Sequence, residues 1–357
     1  MLRKARFPLM ALGLLALLTA LWGGLVRLGW VLPPVPLPLS VVHGPLMICG
    51  FLGTLIGVER AVALGAWWPY AAPLFTAVGA LALLAGLPAP PFMALGSLGL
   101  VAVFVVIVRR QCILATVTMA LGVLLWLVGN GFWLTGWPLS SHVVPWWSAF
   151  LVLTIAGERL ELSRMLRLSW QQYLVFLMAL SIVLAGLLAL AIGRAYGVRV
   201  IGVGMIALAW WLLQYDIARR TVRQTGLTRF IAVCLLSGYV WLGVGGGLTW
   251  HFGGVLAGPY YDAMLHTVFV GFVFAMIFGH APIIFPAILG RSPVPYHPAF
   301  YVPLLLLHAS LLLRIVGDLV PWWPGRQWGG LFNALAVLLF LITLASVLLR
   351  GRVVRHR

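Results

Sequence analysis

Charge is what this sequence has least of. Of its 357 residues only 8% are Asp, Glu, Lys or Arg, while 63% are hydrophobic. Soluble domains carry about 25% charged residues, so a soluble globular fold is excluded. Carboxylates are the scarcest charge: Glu59, Glu158, Glu161, Asp216, Asp262 and Asp318 are all there are. Cys49, Cys112 and Cys234 stand singly in apolar segments, with no CxxC spacing. They read as small core residues rather than metal ligands or disulfides. The absence of CxxCH removes covalent haem attachment of the c type. No stretch between the apolar runs is long enough to form a soluble domain.

What is present is apolar runs of about 20 residues, each able to cross a hydrocarbon core of ~30 Å as a helix. They predict an all-α polytopic membrane protein, one transmembrane domain over 1–357. Its twelve helices are expected at 7–28, 43–63, 67–87, 91–108, 113–134, 142–160, 171–193, 198–218, 228–250, 262–281, 299–317 and 328–349. Pro and Gly punctuate the connections, as at Pro33, Pro34 and Pro36. The first run follows Arg3, Lys4 and Arg6 as a signal peptide would. It is too long for one and has no small-residue cleavage site, so it is expected to be helix 1.

Charge orients this arrangement. With both ends cytoplasmic, 18 of the 23 basic residues lie inside, among them Arg219, Arg220, Arg223, Arg291, Arg350, Arg355 and Arg357. Only Arg27, Arg194, Arg199, Arg314 and Arg326 lie outside, which is the positive-inside bias. The net charge of +17 is thereby assigned to topology and to anionic lipid, not to nucleic acid. The bilayer is the expected partner.

A repeat runs through the chain. Helix 2 (HGPLMICGFLGTLIGVERA) and helix 6 (HVVPWWSAFLVLTIAGERL) align at an offset of 99, matching His43 with His142 and Glu59-Arg60 with Glu158-Arg159. Helices 5 and 9 echo each other around Trp126 and Trp241. Gly271-Phe272 of helix 10 resembles Gly50-Phe51, and His266 is expected to open helix 10 as His43 opens helix 2. The expectation is three parallel repeats of four helices, N-in and C-in.

Glu59 with Arg60, and Glu158 with Arg159, read as ion pairs that close helix ends, although ionisable groups at this depth also mark functional paths. Histidines carry the chemistry. His43, His142 and His266 share an outer depth, and His308 lies mid-membrane. His280 follows His266 by 14 residues, on one helix face and ~21 Å along it. Imidazole is a common ligand for haem iron and for copper. His43 and His266 are the candidate haem ligands, with Gly44, Gly50, Gly53 and Gly271 expected to make room. His142, His280 and His308 are candidates for a second metal. His297 is placed in a cytoplasmic loop and His356 in the tail.

Twelve helices in three parallel arcs, with histidines on helices 2, 6 and 10, resemble the haem–copper oxidase superfamily. LHTVFVGFVFAMIFGH (265–280), with LLLRIVGDLVPWW (311–323) and FNALAVLLFLITL (332–344), is similar to the NnrS family of haem- and copper-containing membrane proteins. That resemblance implies haem b, copper as a further metal, and electron transfer or a nitric-oxide response in the cytoplasmic (inner) membrane of a prokaryote. It does not imply a competent oxidase. Met264 and Val268 stand where a high-spin haem ligand is needed, 171–193 holds no histidine pair for copper, and GHAP (279–282) replaces a GHTG-like motif. Two alternatives stay open: a transporter or channel using Glu59, Glu158 and Asp216, and a cofactor-free structural subunit.

Overall fold

The computed structural model describes residues 2–33, 39–288, 290 and 296–353. Pro34, Pro36, Arg291, Arg355, His356 and Arg357 lie outside them. Among the described residues there is no strand, and every regular element is helical.

The helices are α1 (Leu2–Arg27), α2 (Leu39–Leu64), α3 (Trp68–Leu84), α4 (Pro90–Arg110), α5 (Leu114–Leu134) and α6 (Leu139–Leu166). There follow α7 (Trp170–Ala191), α8 (Gly197–Tyr215), α9 (Gly226–Phe252), α10 (Pro259–Ile288), α11 (Pro298–Leu319) and α12 (Trp323–Val353). Eleven of them are long and apolar enough to cross a membrane, and α3 is a shorter apolar helix. This is an all-α polytopic membrane protein. Leu188, Leu305, Leu312 and Ile342 are all more than half exposed within membrane-length helices, a surface suited to lipid tails.

Helix ends differ from the sequence reading for identifiable reasons. Pro259 and Pro298 start α10 and α11 three and one residues earlier than expected, because proline suits the first turn, where its missing N–H costs nothing. Pro282 and Pro286 do not end α10, which runs on to Ile288. Prolines inside membrane helices are tolerated when neighbours satisfy the freed carbonyls. At the other termini, Ser169 and Gln172 close a capping box on α7, and Gly65 ends α2 at φ 71°.

Three helices contain π-helical stretches. They are Leu46–Gly53 in α2, Leu139–Val143 at the start of α6, and Thr267–Phe274 in α10. The stretches in α2 and α10 begin and end 221 residues apart, the same offset that aligns Gly50-Phe51 with Gly271-Phe272. The likeness of helices 2 and 10 is therefore one of backbone winding as well as residue type. An offset of 99 would put the α6 stretch inside the helix rather than at its start, so α6 does not share this feature.

Two compact units divide the contacts: Met1–Phe150 with Phe285–Arg291, and Leu151–Ile284 with Ser292–Arg357. In the first, α5 packs on α2 through Trp126, whose ring fills the space a side chain at Gly53 would need. Trp126 also stacks on Phe150, with ring centroids 4.8 Å apart. Below it, fully buried Asn130 donates to the Met93 carbonyl (3.1 Å) and accepts from Trp147 Nε1 (3.0 Å). In the second unit, α8 and α9 approach backbone to backbone. A Cβ at Gly202 would lie 2.6 Å from the Gly246 oxygen, and one at Gly246 2.7 Å from the Gly202 oxygen. This is the small-residue packing that membrane helices use in place of a hydrophobic drive.

Candidate functional site

His43 lies five residues into α2 rather than opening it. Its Nδ1 is 2.7 Å from the Ala20 carbonyl of α1, and its ring occupies the space left by Gly24. A carbonyl oxygen only accepts, so Nδ1 carries the proton and Nε2 is the basic nitrogen of the neutral ring. Gly44 beside it faces open space. The other glycines expected to admit a haem are already filled. Ala16 and Ala80 crowd Gly50, Trp126 covers Gly53, and Trp241 with Leu311 covers Gly271.

His142, in the α6 π turn, contacts Ser141 Oγ through Nδ1 (2.7 Å) and lies against Trp137, with ring centroids 4.5 Å apart. On α2, Arg60 pairs with Glu59 at 3.6 Å and sits over the Phe104 ring.

His266 is eight residues into α10, at its first π turn, not at the helix start. Its Nδ1 donates to the Asp262 carbonyl four residues back (2.9 Å), which again makes Nε2 the basic nitrogen. The Asp262 carboxylate lies 3.4 Å from the same Nδ1 and belongs to a buried ionic network. Arg314 forks onto it at 2.8 and 3.0 Å, and Arg326 approaches it at 3.6 Å. Arg326 also meets fully buried Asp318 at 2.9 Å, as an ion pair rather than a well-aligned hydrogen bond, and lies over Trp323. Two carboxyl groups and two guanidiniums thus meet beside His266, where a single unpaired charge would be costly. Sequence reading missed this network. Its signal was the pair of outer arginines, Arg314 and Arg326, that run against the inside bias, together with Asp262–His266 and Arg314–Asp318 at helical spacing.

His308 has both nitrogens committed. Trp241 Nε1 can only donate, and it does so to His308 Nδ1 at 3.0 Å. Nε2 therefore carries the proton and donates to Ser237 Oγ at 2.9 Å. Ser237 Oγ in turn donates a hydrogen bond to the Val233 carbonyl (2.8 Å), which completes a neutral hydrogen-bond relay.

A second charged cluster joins α6, α9, α10 and the end of α8. Arg159 forks onto Asp216, with Nε to Oδ2 at 2.8 Å and Nη2 to Oδ1 at 3.1 Å. The side chains are 3% and 0% exposed. Asp216 also accepts from the Ala218 amide at 2.6 Å, just past the end of α8. The buried Tyr239 hydroxyl interacts with both charges without hydrogen-bond alignment. Arg159 Nη1 reaches His280 Nε2 at 3.5 Å, and His280 Nδ1 is held by the Met276 carbonyl at 2.8 Å. His280 and His308 are each satisfied within the protein. Among the described residues, no three His, Cys, Asp or Glu side chains converge as a metal site.

His43 and His266 are each held at Nδ1 by a backbone carbonyl, an outer contact that metal-bound imidazoles also make. No curated protein matches the chain. Residues 6–349 match one family over nearly their whole run, and the chain belongs to that family, described as Domain of unknown function (DUF8744).

Proposed function

We propose that this protein binds haem b in the cytoplasmic membrane of a prokaryote and acts in electron transfer or a nitric-oxide response, as an NnrS-like protein. His43 and His266 are the proposed iron ligands. One observation carries the reading: both imidazoles are anchored at Nδ1 by a backbone carbonyl beside an eight-residue π stretch. Such π turns recur at functional sites, and the anchor fixes the tautomer whose Nε2 binds metal. Bound haem would supply a one-electron carrier; Ala20 and Asp262 supply the orientation. Asp262, with Arg314 and Arg326, gives His266 a polar, ionic environment. A transport path through Asp216 is less favoured, because that carboxylate is held by three hydrogen bonds.

The visible spectrum of purified protein is the test. Wild type should show a low-spin Soret band. His43→Ala and His266→Ala should each abolish it, with helicity retained by circular dichroism, and His297→Ala should leave it intact. Colourless wild type, or a full low-spin signal in both alanine variants, would refute the proposal.

A further inference from the structure

Two cavities meet at the segment joining α8 to α9. The first, of about 400 Å³, is polar and is lined by Gln172, Gln214, Asp216, Arg219, Arg220 and Arg223. Its one carboxylate, Asp216, is already neutralised by Arg159. The three lining arginines are exposed, and Arg219 is braced through Nη1 by the Gln214 carbonyl (3.0 Å) and side-chain oxygen (2.8 Å). Three positive charges therefore converge on one polar space with no acidic side chain left to balance them. The second cavity, of about 620 Å³, shares Gln214, Arg219 and Arg223 with the first. Beyond them its wall turns apolar, with Leu213, Val222, Leu236 and Val240. The same guanidiniums thus border a polar basin and a greasy cleft along α9.

We propose that this pair of cavities binds one anionic phospholipid. Arg219, Arg220 and Arg223 hold its phosphate, and an acyl chain lies in the cleft against Leu213, Leu236 and Val240. A free phosphate would use only the first cavity, and a neutral lipid only the second. A phosphodiester joined to an acyl chain satisfies both. Juxtamembrane arginines are attracted to anionic headgroups, and their aliphatic stems lie readily along apolar surface. The Ser237 end of the cleft carries the His308–Trp241 relay, so the lipid would cover that relay from one side.

Native mass spectrometry of delipidated full-length protein decides the matter. The added probes are phosphatidylglycerol, phosphatidylcholine or inorganic phosphate. We expect one phosphatidylglycerol bound roughly tenfold or more tighter than phosphatidylcholine. Arg219→Gln/Arg223→Gln should erase that preference, while Arg109→Gln/Arg110→Gln, a basic pair on α4, should keep it. Leu236→Trp, which fills the cleft, should weaken phosphatidylglycerol binding without the loss of any charge. Equal binding of the two lipids, or an equal loss in the α4 variant, would overturn the site. Phosphate binding as tightly as phosphatidylglycerol, with Leu236→Trp silent, would show an anion pocket and overturn the lipid assignment.

Discussion

The Arg159–Asp216 fork makes the sharpest energetic prediction. Asp216→Ala removes two charged hydrogen bonds to Arg159 and the acceptor for the Ala218 amide. The guanidinium stays behind, 3% exposed, with no carboxylate. Removing one partner of a buried ion pair costs about 3–5 kcal/mol, mostly as the penalty of the stranded charge. Arg159→Met strands the carboxylate in the same way and should cost a similar amount. The double variant Arg159→Met/Asp216→Asn strands nothing. It keeps an oxygen for the Ala218 amide and replaces two desolvated charges by neutral groups, a change that is often nearly neutral. Its expected cost is less than about 2 kcal/mol, well below either single change. The coupling then exceeds the ~0.5 kcal/mol within which independent sites add. Unfolding in mixed micelles under increasing dodecyl sulfate measures all three variants. A loss under about 1 kcal/mol for Asp216→Ala, or a double variant equal to the sum of the singles, would refute the reasoning.

Two further outcomes follow from the same geometry and from the charge bias. Glu59→Gln should lower stability in detergent by less than about 1 kcal/mol, because its pair with Arg60 is 3.6 Å long and partly exposed, and such pairs contribute little. It should leave any bound chromophore in place; loss of spectrum at unchanged stability would assign Glu59 a functional role instead. Reporter fusions at Gly136 and Gly258 should read outside and one at Arg223 inside, so an inside signal at either glycine would break the twelve-crossing topology.

The twelve helices were legible because each needs a long apolar run, and the composition leaves room for little else. Helix ends were less legible where proline has two meanings. Pro282 reads as a stop, yet α10 continues past it, since that depends on neighbours a single sequence does not display. The ionic partners were hidden for a related reason. Glu158 and Arg159 are adjacent, so sequence favours their pairing, but Asp216 lies 57 residues on and takes the guanidinium. Arg314 and Asp262 are likewise 52 residues apart. The arginines expected on the outer side, with Asp262–His266 and Arg314–Asp318 at helical spacing, were what pointed toward that network.

The histidines show how a repeat can be right in the backbone and misleading at a side chain. The 221-residue offset that superposes both π stretches and Gly50-Phe51 on Gly271-Phe272 sets His43 against Met264, and Pro45 against His266. Two residues of helix turn a side chain by about 200°. In the frame the two helices share, the imidazoles therefore leave on nearly opposite faces, and equal depth is no evidence of equal role. Each is better judged by what holds it. His43 is braced from another helix, by the Ala20 carbonyl, so its orientation depends on the packing of α1 against α2. His266 is braced from its own helix, four residues back, by a residue whose carboxylate carries the Arg314 fork. If haem is bound, changes at Asp262 should reach the iron through His266 alone, and changes in the α1–α2 contact through His43 alone. Separate ligand variants therefore carry more information than any argument from symmetry.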